Sequence, residues 1–127
     1  MLLLWLAAGG VAGTLARYGI GRWVPTWAGD GFPWATFASN VVGSFLLGAL
    51  MRGFQHSAAP PELRAMLTVG FCGAFTTFST FTYEAVALMQ DGAWARASVY
   101  AFGSLALGLA AMYAGLHGAA LVFRAGG

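Results

Sequence analysis

The sequence is short of charge. Of its 127 residues only 8% are charged, with six Lys+Arg against four Asp+Glu, and all six basic residues are arginines. A soluble globular chain carries about 25% charged residues, so this one has too little charge to face water with. The arginines stand singly at positions 17, 22, 52, 64, 96 and 124. Nucleic-acid binding needs basic residues clustered on one face, and that reading is excluded. The single cysteine, Cys72, permits no intramolecular disulfide and no CxxC pair. Four acids and two histidines assemble no Ser/His/Asp set, carboxylate pair, metal cluster or phosphate loop, so no enzyme is expected. What the chain does have is apolar: 59% of its residues are hydrophobic. Such a composition excludes disorder, and the length fits one domain over residues 1–127. The expectation is an all-α integral membrane protein.

The few charges punctuate the chain. Residues 1–16 are free of charge and end at Arg17; residues 31–51 lie between Asp30 and Arg52; residues 65–83 lie between Arg64 and Glu84; residues 97–123 lie between Arg96 and Arg124. A spanning helix needs about 20 apolar residues, which predicts four transmembrane helices. The first extends to Ile20 if Arg17 snorkels or faces the bundle interior. It lacks a positive n-region, and Arg17 follows the apolar run, so it reads as a span and not as a cleaved signal. Trp23, Trp27, Trp34 and Trp94 fall at or beside span ends, where aromatic belts sit. The joining segments are expected at 23–30, 53–62 and 84–95, with Pro60-Pro61-Glu62 opening the third helix. Neither Asp30 nor Asp91 falls within a span.

Orientation is read from the Lys/Arg bias between the two sets of loops. Arg52, Arg64 and Arg124 share one side, and Arg17, Arg22 and Arg96 the other. A bias of zero gives no instruction, which favours insertion both ways and an antiparallel homodimer over a single orientation fixed by some other feature. Four helices leave little room for a water-filled path, whereas two inverted copies supply eight, in the manner of inverted-repeat transporters.

The polar residues inside the spans are few. Residues 70–83 read Gly-Phe-Cys-Gly-Ala-Phe-Thr-Thr-Phe-Ser-Thr-Phe-Thr-Tyr. Gly73 and the Thr76-Thr77 pair are weak helix formers at the middle of the third span. Two readings stand: a backbone broken at membrane depth, whose freed carbonyls hold a cation, or an ordinary helix whose hydroxyls bond back one turn. Thr77, Thr80 and Glu84 share one helical face, and Phe75, Phe78 and Phe81 form a neighbouring stripe whose ring edges carry partial positive charge. Asn40 lies near the middle of the second span, either as interhelical glue or as an anion donor. Ser44 and Gly48 form a close-packing pair. Gly9, Gly13, Arg17 and Gly21 recur every four residues, with Arg17 either a positive vestibule or a structural hub. Tyr100, Ser104 and Gly108 line up on the fourth span as a polar track or as packing, and His117 reads as structural.

These strings resemble the CrcB/Fluc family of small fluoride channels over nearly the whole chain. The likeness rests on Gly9-Gly10-x-x-Gly13-x-x-x-Arg17-Tyr18, on Asn40-x-x-Gly43-Ser44-Phe45-x-x-Gly48, and above all on residues 70–81. The resemblance implies a dual-topology homodimer of four-span chains in the cell inner (plasma) membrane, with two antiparallel fluoride pores. It implies a third helix broken near the bilayer midplane. It also implies a structural sodium ion at the dimer centre, held by the carbonyls of Gly73 and Thr76 of both chains. Phe78 and Phe81 become the pore phenylalanines and Asn40 the pore asparagine. Ser79, Thr80, Tyr100 and Ser104 supply hydroxyls, and Arg17 and Glu84 form the vestibule. The partners implied are fluoride, membrane lipid and a second, inverted copy, with no nucleic acid. Ala74 departs from the family where many members have a second glycine, and Gly108 where some have serine. A small antiparallel multidrug exporter is the alternative. Its relatives carry a membrane-embedded carboxylate in the first helix, and this first helix has none. A non-conducting assembly subunit is a further alternative, and it leaves the central Thr/Ser/Phe string unexplained.

Overall fold

The computed structural model describes residues 1–24 and 31–126, so Trp27 and Asp30 lie outside the described residues. Among the described residues all regular structure is helical. Four spans are long and apolar enough to cross a bilayer: Leu2–Trp23, Trp34–Gln55, Pro61–Gln90 and Trp94–Ala125. They are the four expected from the charge-free runs, but they run past the charges that bounded those runs. Arg17, Arg22, Arg52, Glu84 and Arg124 all lie inside helices. The expected joining segments at 53–62 and 84–95 are correspondingly shorter, because Gly53 to Gln55 and Glu84 to Gln90 remain helical. The fourth helix has 32 residues, about 48 Å at 1.5 Å per residue, well beyond a hydrocarbon core of about 30 Å. Pro61 occupies the first turn of the third span, where a missing N–H costs nothing.

Burial is inverted relative to a soluble protein. Large apolar residues such as Leu3, Val11, Phe102, Leu109 and Val122 are exposed, while the packed interior is made of small and hydroxylated residues with Cys72, Phe75 and Tyr100. Lipid tails are as apolar as leucine, so helices in a membrane associate through close backbone approach. The first span shows this against the third. A Cβ on Gly9 would strike the carbonyl oxygen of Met66, and one on Gly13 the carbonyl oxygen of Phe71. Gly21, which continues that stripe in sequence, has open space beside it and takes no part in the contact. The second and fourth spans pack in the same way, with Gly48 against Met112 and Gly115 against Phe45.

The third span is the irregular one. Pro61–Ala65 is α-helical, Met66–Cys72 widens to a π-helix, and Gly73–Phe75 returns to α. Thr76 (φ −88°, ψ 155°) and Thr77 (φ −150°, ψ 116°) are extended. A new helix, Phe78–Gln90, then starts with Thr77 as its cap. The helix is therefore broken halfway along, and the reading of an unbroken helix falls. The break sits at Thr76-Thr77, while Gly73 itself is helical (φ −63°, ψ −37°). It also ends the expected phenylalanine stripe. Phe75 is buried and stacks on Phe71 at 5.6 Å, whereas Phe78 is exposed and pairs with Phe81 at 5.8 Å.

The broken third helix and its polar clefts

A break at membrane depth leaves backbone groups that neither helix serves, and each costs several kcal/mol in hydrocarbon unless it is satisfied. Asn40 satisfies two of them. Its Nδ2 donates to the Thr77 carbonyl at 3.1 Å, and the Thr77 amide donates to its Oδ1 at 2.7 Å. The side-chain amide thus acts as a substitute peptide group, the role of interhelical glue. One N–H of its NH₂ group is used in this way and a second remains. Arg17 serves the other side of the break, donating from Nε to the Ala74 carbonyl at 3.1 Å. That places it as a structural hub on the stripe it shares with Gly9 and Gly13. Thr77 Oγ1 caps the second half-helix by accepting from the Thr80 amide at 3.2 Å, and donates to Thr80 Oγ1 at 3.0 Å.

These substitutions change what the nearby carbonyls can do. In an unbroken helix the Thr77 amide would serve Gly73 and the Thr80 amide would serve Thr76. Here they go to Asn40 and to the Thr77 hydroxyl. The Gly73 and Thr76 carbonyls are each relieved of the partner four residues on. Gly73 is exposed, with nothing within 4 Å of where a Cβ would stand. Both are hard oxygen donors suited to a hard cation, and one chain supplies two of them.

Glu84, expected at a span end, lies six residues before the end of the third span and is still helical. A carboxylate on a spanning helix needs partners. Thr36 Oγ1 donates to its Oε1 at 2.7 Å and Tyr100 Oη to its Oε2 at 3.0 Å. Tyr100 is fully buried, between Phe32 at 5.4 Å and Phe81 at 5.0 Å. Ser79 is exposed beside the break. The hydroxyls of Ser39 and Ser104 are buried without a hydrogen-bond partner.

Three clefts follow this polar line. One of about 280 Å³ is lined by Asn40, Ser44, Gly73, Thr76, Thr77 and Phe78, among others. A second, of about 390 Å³, holds Arg17, Arg22, Thr36, Ser39, Thr80 and Glu84. The Thr77–Thr80 hydrogen bond joins their walls. A third, of about 520 Å³, shares Thr36 and Glu84 with the second and runs to Asp91 and Arg96. Sequence spacing alone put Thr77, Thr80 and Glu84 on one face, and the structure spreads them along this line. Thr36 and Ser39 escaped sequence reasoning. Their only signal was a five-residue run, Thr36 to Asn40, with three polar members inside an apolar span.

Comparison with known proteins agrees with this architecture. The chain is 48% identical over 120 residues to the fluoride-specific ion channel FluC of Thermus thermophilus, covering 94% of each chain. It is 50% identical over 114 residues to the protein of that name from Chlorobaculum tepidum, covering 89% of this chain and 90% of the relative. The protein of that name from Geobacter sulfurreducens is 43% identical over 118 residues, covering 92% and 95%. Residues 4–116 match the family described as CrcB-like protein, Camphor Resistance (CrcB). With that match spanning most of its length, this four-span membrane protein belongs to the CrcB family.

Proposed function

We propose that the chain is a fluoride-selective channel of the cell's plasma membrane, through which fluoride leaves down its electrochemical gradient. One observation carries the reading. The broken third span is lined by hydroxyls, an amide and phenylalanine rings, in a chain close to half identical to relatives named as fluoride-specific channels. Fluoride is small and tightly hydrated. A pore must replace its water with several donors and still release it, which calls for moderate binding at many sites. Hydroxyls, one amide N–H and ring edges meet that need better than a buried ammonium.

In this reading the second N–H of Asn40, the edges of Phe78 and Phe81, and the hydroxyls of Ser79, Thr80, Tyr100 and Ser104 receive the anion in turn. Arg17 and Glu84 stand at the vestibule. Tyr100 spends its proton on Glu84, so an anion draws on Tyr100 only when Glu84 gives that donor up. Glu84 thereby competes with the anion for the same hydroxyl.

The functional unit is a pair of inverted chains, supported by the even division of the arginines. Gly73 and Thr76 of each chain would hold a sodium ion between them, each chain supplying two of the carbonyls that the break relieves. Such an ion supplies positive potential that does not titrate. The reading is tested by fluoride efflux from liposomes that contain this protein alone. Efflux no faster than from empty liposomes, with folded protein present, refutes it.

A further inference from the structure

At the membrane face opposite Asp91 and Arg96, the second and fourth spans end side by side and enclose a cleft of about 420 Å³. Its walls are Arg52, Gln55, Leu116, His117, Ala120, Leu121 and Arg124, with no acidic residue among them. Arg52 donates from one terminal nitrogen to Gln55 Oε1 at 2.9 Å, but its Nε is buried and has no hydrogen-bond partner. A buried guanidinium N–H without an acceptor is costly and calls for one. The third arginine of this face shows the contrast. Arg64 donates to the carbonyls of Ala59 and Ser57 and lies over the Phe54 ring, so its needs are met within the chain.

We propose that this cleft binds the phosphate of an anionic membrane lipid. Arginine presents a planar fork that matches phosphate oxygens two at a time, and Arg52 with Arg124 places two such forks around one opening. Leu116, Ala120 and Leu121 give the cleft an apolar wall of the kind an acyl chain follows. The position also fits a lipid: Arg52 lies three residues and Arg124 one residue before the ends of their helices, the level of the headgroups. Basic pockets between helices at this level are known phosphate-lipid sites. The site lies apart from the three clefts of the conduction path and shares no residue with them.

Native mass spectrometry of the purified full-length protein tests this. The probes are dioleoylphosphatidylglycerol, dioleoylphosphatidylcholine and inorganic phosphate. The phosphatidylglycerol adduct is expected to form roughly tenfold or more tighter than the phosphatidylcholine adduct. R52Q/R124Q is expected to remove that preference, and R22Q, at the other face, to retain it. If the double variant does not purify, R124Q alone, at an exposed terminal position, is expected to weaken phosphatidylglycerol binding. Equal binding of the two lipids, or a preference untouched by R52Q/R124Q and R124Q, overturns the proposal. Inorganic phosphate competing as well as phosphatidylglycerol would assign the site to the free anion and overturn the lipid assignment.

Discussion

At the scale of single residues, the third span separates two neighbouring phenylalanines by what they can face. Phe75 is buried against Phe71, while Phe78 is 77% exposed on the chain and bounds the cleft beside Asn40. Within the chain that ring pairs with Phe81 at 5.8 Å and is otherwise largely exposed, so its removal costs the chain little, while in the proposed path it would take away a positive ring edge. Phe81 is tied to Tyr100 at 5.0 Å, so in the proposed path it bears on both conduction and packing. We predict that Phe78→Ile lowers fluoride efflux by about tenfold or more, the loss expected from about 1.4 kcal/mol of stabilisation along the path. The variant is expected to elute from gel filtration with the wild-type profile. Phe81→Ile is expected to lower both efflux and thermal stability. Wild-type efflux from Phe78→Ile would remove that ring from the mechanism. The residue-level assignments were partly legible in the sequence. Asn40 announced itself as an amide in an apolar run, but its partner is a backbone group, which no side-chain pattern reveals.

At the scale of the element, the break in the third span depends on groups from two other helices. Asn40 of the second span replaces lost backbone bonds at Thr77, and Arg17 of the first span holds Ala74. Removing the Asn40 amide leaves the Thr77 N–H and carbonyl unpaired, at about 1–3 kcal/mol each. Asn40→Ala is therefore expected to lower the unfolding temperature in detergent and to speed hydrogen exchange at the Thr77 amide by at least about tenfold. Asn40→Asp, which keeps the acceptor and loses the donor, is expected to fall between. Unchanged exchange at Thr77 in Asn40→Ala would show that the clamp does not hold the break. The four spans were legible because charge-free runs of adequate length need no tertiary information. Their ends were misjudged because a charge was treated as a boundary. Glu84 stays inside a helix by accepting from Thr36 and Tyr100, and Arg17 by donating to Ala74. The π-helical stretch Met66–Cys72 left no trace in the sequence. It lies against Gly9 and Gly13 of the first span, and such a fit depends on which helices meet.

At the scale of the whole molecule, the scarcity of charge that bounds the fold also shapes the function. Arg17 lines one cleft and Glu84 is already engaged by two hydroxyls, so in the proposed path anion handling falls to neutral donors. In the proposed reading the same scarcity also leaves orientation unset. Arginines at 52, 64 and 124 stand against those at 17, 22 and 96, an even division that gives the proposed inverted pair its support. Chains inserted both ways are expected to assemble as inverted pairs. With Cys72 first replaced, a single cysteine placed at residue 58 is expected to react with impermeant maleimide from both sides of the membrane; labelling from one side only would refute the inverted pair. The central claim, a path selective for fluoride, is tested most directly by a fluoride electrode reading efflux from liposomes that contain only this protein, beside a matched chloride measurement. The account predicts rapid fluoride release and chloride release no faster than from protein-free liposomes. Equal release of the two anions, or no fluoride release from folded protein, would contradict it.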